Sequence, residues 1–123
     1  MSWDLKSDRP IYSQLIEQIQ IKICSGEFAP GSRLPSVREL AQDAAVNPNT
    51  MQKALAKLEE DGLLYTNRTS GRFITEDAEM IQQAKGKLAK DQISEFLEKM
   101  KSLGFSKTET LSIISTMLEE AKK

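Results

Sequence analysis

The stretch 33–75, RLPSVRELAQDAAVNPNTMQKALAKLEEDGLLYTNRTSGRFIT, constrains the fold more than any other part of the chain. Ser36 and Glu39 have capping-box spacing, in which the serine accepts from an orphan helix amide and the glutamate reaches back to the cap. Val37, Leu40, Ala41 and Ala44 give the helix that follows one apolar face. Asn47 is a good cap for a second helix, and Pro48 suits its first position, where a missing amide costs nothing. Met51, Ala54, Leu55 and Leu58 form the inward face of that helix, and Gly62 suits its end. Two short helices joined by about three residues predict a helix-turn-helix. The stretches 63–66 and 72–75 then read as short strands, with 67–71 connecting them. A hairpin this short is marginal alone, so Leu64, Phe73 and Ile74 are expected to include the groups that anchor it. Two helices followed by an anchored hairpin with a basic tip make a winged helix-turn-helix.

The flanks complete the architecture. Upstream, Ile11, Leu15, Ile19 and Ile23 recur every fourth residue, with Tyr12 and Ile16 widening the stripe, between Pro10 and Gly26. The segment 26–32 contains Pro30-Gly31 and reads as a turn that places Phe28 on the core. Downstream of Thr75, apolar residues at Ile81, Ala84, Leu88, Phe96, Met100 and Leu103, with Ile93 and Leu97 beside the later ones, predict a long helix over 79–103. Its middle, 90–92, is weak enough to admit a bend or a register change. Gly104 ends it, and Ser106 with Glu109 repeats the capping-box spacing. Leu111, Ile114 and Leu118 carry the last helix, with Ile113 and Met117 extending its apolar face. Such a helical hairpin is too small to enclose its own core, and packing against a second copy is the simplest remedy. The expected fold class is therefore mainly α with a small β-wing, with a winged helix-turn-helix over 1–75 and a helical dimerisation region over 76–123. The homodimer interface is expected to use Ile81, Ala84, Leu88, Ile93, Phe96, Leu97, Met100, Leu103, Leu111, Ile114, Met117 and Leu118.

Composition narrows the function classes. The 123 residues carry 17 basic and 18 acidic groups, a net charge of −1 that argues against an indiscriminate polycation coating nucleic acid. Local placement decides more than the total. Glu59, Glu60 and Asp61 fall at the far end of the second helix-turn-helix helix, whereas Arg38, Lys53, Arg68 and Arg72 fall where a duplex would lie. With no histidine and one cysteine, Cys24, a transition-metal site is not expected; Cys24 reads as a small buried hydrophobe. No cofactor is expected, and neither a phosphate loop nor a catalytic constellation is visible, so the chain does not read as an enzyme. No apolar run approaches the roughly 18 residues of a membrane span. The opening MSWDLKSDRPIY lacks the regions of a signal peptide, so the expected location is cytoplasmic.

The candidate chemistry is nucleic-acid recognition. Asparagine and glutamine can make paired hydrogen bonds to adenine, and arginine or lysine can read guanine or hold phosphate. Asn49 and Gln52 are the base-reading candidates, with a solvated helix surface as the plain alternative. Asn47 caps its helix, which is compatible with a phosphate contact; Thr50 divides between phosphate and capping, and Lys53 suits phosphate. Arg38 lies in a first helical turn, where the helix dipole prefers an acid, so it gains from a nearby phosphate or guanine. An intraprotein salt bridge is the alternative. Arg33 and Ser36 are second-rank candidates for the same backbone path. In the wing, Arg68 and Arg72 could follow phosphates, and Arg68 or Ser70 could enter the minor groove. Gly71 reads as a backbone requirement.

Taken together, LPSVREL, VNPNT and LEEDGLL, within a match from Pro10 to Ile74, resemble the DNA-binding domain of the GntR family of bacterial transcription regulators. The short two-helix tail further resembles the YtrA subfamily. The resemblance implies a homodimeric repressor on an inverted-repeat, double-stranded DNA operator. It implies DNA contacts from Arg38, from Asn47, Asn49, Thr50 and Gln52, and from the wing at Ser70–Gly71, with Pro48 on the same surface. Some family members carry a basic residue where Pro48 stands and another where Gln52 stands, so their base preferences do not transfer; Thr69-Ser70-Gly71 also departs from the more common glycine-rich wing. The rival readings are an architectural or RNA-binding winged helix and a protein-interaction module. The interface between two C-terminal hairpins is where an unidentified small-molecule effector could act.

Overall fold

The computed structural model describes residues 2–122. In order they form α1 (Ile11–Cys24), α2 (Val37–Ala44), α3 (Pro48–Glu60), β1 (Leu64–Asn67), β2 (Gly71–Ile74), α4 (Ala78–Ser102) and α5 (Lys107–Ala121). The architecture is mainly helical, with an antiparallel β1–β2 wing between α3 and α4 and two helices at the C-terminal end. The described chain divides into two compact units at Lys85/Gly86. Among the described residues no helix is long and apolar enough to cross a membrane.

In the first unit the start signals operate as their chemistry dictates. The Glu39 amide donates to Ser36 Oγ (3.1 Å) and the Ser36 amide to Glu39 Oε1 (3.3 Å), closing the capping box of α2. Asn47 Oδ1 accepts from the Asn49 amide (2.8 Å), with Pro48 at the first position of α3. Between the two helices Ala45 adopts a left-handed conformation (φ 58°), which turns the next amide back so that Val46 N donates to Ala41 O (2.9 Å). Leu15, Ile19 and Ile23 of α1, Leu40 and Ala41 of α2, and Met51, Ala54, Leu55 and Leu58 of α3 close one core, with Phe28 packed at its margin. Each fully buried leucine or isoleucine there contributes roughly 1.5–3 kcal/mol.

The wing has a third participant that its sequence does not announce. Gly31 N donates to Ile74 O, Ile74 N to Ser32 O and Leu34 N to Arg72 O, each at 2.9 Å, and Arg33 bridges Phe73. Residues 31–34 thus line the free edge of β2, so the expected turn over 26–32 ends in strand pairing. The strands also sit one residue later in β1 and one earlier in β2 than expected. Asn67 Oδ1 accepts from the Thr69 amide (3.0 Å) and hydroxyl (2.9 Å), which shortens the connection and allows Asn67 and Gly71 to pair as the last rung. Leu64 and Ile74 anchor the hairpin in the core. Phe73 instead stacks on Tyr65 on the opposite face (centroids 5.6 Å apart), as a period of two requires.

A strap precedes α1. Gln14 and Gln18 bind it as side-chain substitutes for a neighbouring strand: the Lys6 amide donates to Gln14 Oε1 (2.6 Å) and Gln14 Nε2 to Lys6 O (2.7 Å), and Gln18 does the same with Asp4 at 3.3 and 3.4 Å. Trp3 and Leu5 pack on the core margin, and Trp3 Nε1 donates to Asp43 (2.7 Å). Lys22 is 6% exposed, and its charge is compensated by Ser2 O (2.5 Å), Glu27 (3.2 Å) and the Trp3 ring (4.9 Å). Nothing in the periodicity of α1 foretells a buried lysine.

At the end of this unit, Asp77 Oδ1 caps α4, and Met80, Ile81 and Ala84 pack against the core. The Cys24 thiol is half-buried and directed at Ile81 O (3.9 Å); burial pushes its pKa up, opposed by Lys85. The second unit holds the rest of α4, helical throughout 90–92, and α5 with its Ser106–Glu109 capping box formed. Among its described residues only Thr110 is buried.

Candidate nucleic-acid interface

One face of α3 is spent on the core and the other is free. Met51, Ala54, Leu55 and Leu58 are buried, so the 3.6-residue period exposes Asn49, Gln52 and Lys53 and leaves Thr50 half-buried at the edge. Asn47 and Pro48 are exposed at its start. The Asn47 oxygen is committed to the cap, and its amide nitrogen keeps two protons for an acceptor. With 13 residues, α3 is about 20 Å long and slim enough to enter a major groove about 12 Å wide.

The flanking cations are poised differently from one another. Arg38, in the first turn of α2, is exposed, and among the described residues no ion pair engages Arg38, Lys53 or Arg68. Ser36 accepts from Glu39 and retains its hydroxyl proton. Arg68 stands exposed in the wing connection, with Ser70 half-buried beside it. Gly71 has φ +104°, and the Arg33 guanidinium lies against it. Arg72 is set apart, being half-buried with Nε 3.8 Å from Glu59 Oε2. The acids are drawn to the other end of α3, where Lys57 pairs with Asp61 (3.4 Å), and Asp61 and then Glu60 hold its pKa above the usual lysine value. The helix start and the wing tip thus carry uncommitted donors, while the helix end carries paired or acidic groups.

An open groove of about 570 Å³ runs along the flank of α3, lined by Tyr12, Thr50, Lys53, Ala56, Lys57 and Glu60. Tyr12, expected to widen an apolar stripe, is 38% exposed and belongs to this groove instead. Its hydroxyl is the reason, since burial would strand a polar group. The Glu59 contact is not legible in the sequence, because it depends on Thr66 and Arg72 being register partners and on the hairpin folding back over the end of α3. Among the described residues no cluster of three or more acidic, cysteine or histidine side chains is placed to hold a metal ion.

Residues 11–74, which contain this whole arrangement, match the family described as bacterial regulatory proteins, gntR family. The chain belongs to the GntR family. It is 40% identical over 119 residues to the HTH-type transcriptional regulator YhcF of Bacillus subtilis, covering 97% of this chain and 98% of that one. It is 39% identical over 95 residues to the HTH-type transcriptional repressor YtrA of Bacillus subtilis, covering 76% and 73%. Among solved structures, a GntR family transcriptional regulator from Listeria monocytogenes superposes with a TM-score of 0.81 at 37% identity, covering 91% of this chain and 98% of that one. The AraR DNA-binding domain, solved in complex with an operator, superposes with a TM-score of 0.52 at 32% identity over 61% of this chain and 94% of that one. This GntR-family protein therefore has the winged helix-turn-helix fold of DNA-binding transcription regulators.

Proposed function

We propose that this GntR-family chain is a homodimeric, sequence-specific repressor of the YtrA type, acting in the cytoplasm on an inverted-repeat operator in double-stranded DNA. The observation that carries the reading is the free face of α3. Asn49, Gln52 and Lys53 project from a helix whose other face is locked into the core, beside the uncommitted Arg38 and Arg68. Asn49 and Gln52 read base edges in the major groove. Arg38, Lys53, Thr50 and the Asn47 amide hold the backbone, with Arg33 and Ser36 along the same path. Arg68, beside Ser70 and Gly71, takes the wing to the minor groove. The bound dimer represses by obstructing transcription.

The division of labour is proposed to follow the chain, with DNA binding in 1–75 and dimerisation in 76–123. Support for the dimer comes from Ile93, Phe96, Leu103, Leu111, Met117 and Leu118, which a lone copy leaves exposed. Two-fold symmetry then imposes a palindromic site. The likeness to the repressor YtrA over three quarters of the chain supports the subfamily and the sign of regulation. The likeness to AraR, solved on an operator, supports the target.

The test is selection from random duplex DNA by the purified full chain at near-physiological salt, with the bound pool sequenced. An enriched inverted repeat is expected. Enrichment no greater than nonspecific duplex binding would overturn operator recognition by the free protein and favour an architectural or protein-binding role.

A further inference from the structure

Glu59 occupies the last turn of α3, and both of its carboxylate oxygens are engaged by the wing. Oε1 accepts the Thr66 hydroxyl, and Oε2 lies 3.8 Å from Arg72 Nε. Thr66 and Arg72 are register partners on β1 and β2, so one carboxylate holds both strands at the same rung. The Leu64–Ile74 pair pins the root of the hairpin on the same face, two residues closer to the core. Residues 31–34 also hold β2 as far as Arg72 O, but on its free edge; Glu59 adds the polar hold that ties the outer rung to α3 itself.

We propose that Glu59 is a positioning residue, which fixes the angle between the wing and α3 by keeping Arg72 away from DNA. The inference rests on the DNA-binding reading above and deepens it. The Arg72 side chain is 19% exposed, and its Nε is sealed from solvent without a hydrogen bond; the Glu59 carboxylate, 3.8 Å away, is the charge that compensates it. Leaving that carboxylate for a phosphate would break the second rung of the anchor. Arg68, exposed at the wing connection and outside any ion pair among the described residues, is the wing cation left for DNA. The angle that Glu59 sets decides which base step Arg68 meets while Gln52 reads its own.

The salt dependence of binding separates positioning from contact, because each phosphate contact adds about one unit to the slope of log K against log salt. Operator affinity is measured from 50 to 300 mM salt for the wild type, Arg72→Ala, Glu59→Ala and Glu59→Gln, and base preference is mapped by duplex selection with each. Arg72→Ala is expected to keep the wild-type slope and to blur preference only under the wing. Glu59→Ala is expected to steepen the slope by about one unit, as the released guanidinium finds a phosphate, with the same blurring. Glu59→Gln, which retains an acceptor for Thr66, is expected to preserve more of the wing preference than Glu59→Ala. Should Glu59→Ala fail to fold, Arg72→Ala and Glu59→Gln carry the test. A slope reduced by about one unit in Arg72→Ala, or wild-type preference under the wing in both Arg72→Ala and Glu59→Gln, overturns the inference alone. A wild type that selects no duplex overturns the DNA reading, and this inference with it.

Discussion

Arg33 and Gly71 meet at the edge of the wing, where a methyl group on Gly71 would come within 3.3 Å of Arg33 Nε. Gly71 also has φ +104°, a conformation that L side chains rarely adopt. The pairing of 31–34 with β2 holds the Arg33 backbone, but its exposed side chain can yield, so the backbone strain at Gly71 is the larger cost. Gly71→Ala is therefore expected to cost about 1–2 kcal/mol in chemical denaturation. It should also weaken operator binding while leaving the base preference of α3 unchanged. Wild-type stability and affinity would remove Gly71 from the wing's design.

Gln52 and Lys53 are neighbours with different expected work. Both are exposed on α3, yet an amide can pair with a base edge, whereas an ammonium acts as a point charge. Gln52→Ala should relax discrimination at one operator position, by about 1–3 kcal/mol between the preferred base and its rivals. Lys53→Ala should weaken all duplexes nearly evenly and lower the salt slope by about one unit. Binding titrations against a panel of single-base operator variants separate the two. Equal losses on every variant for Gln52→Ala would end its assignment as a base reader.

The turn between α2 and α3 stores strain at Ala45, which holds φ 58° without being a glycine. That conformation costs an L residue roughly 1–2 kcal/mol, part of which a glycine gives back through its larger unfolded-state entropy. Ala45→Gly is expected to stabilise the protein by up to about 1 kcal/mol. Melting at fixed protein concentration reads it directly. A lower melting temperature would show that the Ala45 methyl contributes packing that outweighs the strain.

Glu109 gives α5 a dependence on acidity. Its carboxylate accepts from the Ser106 amide, and that hydrogen bond, followed by the Ser106 hydroxyl, holds its pKa below the usual glutamate value. A carboxylate with a depressed folded pKa contributes stability that is fully present above its unfolded pKa. That contribution is lost as pH falls through the folded value. Glu109→Gln should therefore melt below the wild type at pH 6, and the gap should close below the ordinary glutamate range. A gap that persists at pH 3 would mean the glutamate acts through packing rather than charge.

Local rules carried most of the fold, because each governing contact spans only a few residues. The Ser36–Glu39 and Ser106–Glu109 boxes, the Asn47-Pro48 start and the apolar face of α3 are all visible within single turns. The features that escaped join residues distant in the chain. The pairing of 31–34 along β2 is hidden beside Pro30 and Pro35, where alternation is too short to register. The strap on Gln14 and Gln18 uses side-chain amides in place of a strand, which no periodicity records. At the candidate interface, the exposure of Asn49, Gln52 and Lys53 followed from helical phase alone. The approach of Arg72 to Glu59 depends on how the hairpin folds back over the end of α3, which no local pattern records. Charge type was legible in the sequence; which charges were already paired was not.

The second unit makes the sharpest demand on a partner. Phe96 is 42% exposed, Leu111 63%, Met117 62% and Leu118 60%, while the unit's buried side chain among the described residues is a threonine. Thr110 satisfies its own hydroxyl on Ser106 O (2.9 Å), so it caps a turn rather than forming a core. Ile81 and Ala84 differ, since they pack on the first unit's core and have intrachain work whatever the oligomer. Charges introduced further along should therefore separate copies without unfolding the DNA-binding unit. The wild type is expected to sediment as a dimer, and Phe96→Glu with Leu118→Lys as a monomer. The loss of linked half-sites should lower affinity for an inverted repeat by a factor of 10² or more, while binding to a single half-site changes little. A wild type that sediments as a monomer at micromolar concentration, or a double variant that keeps full affinity for the repeat, would remove α4 and α5 from dimerisation.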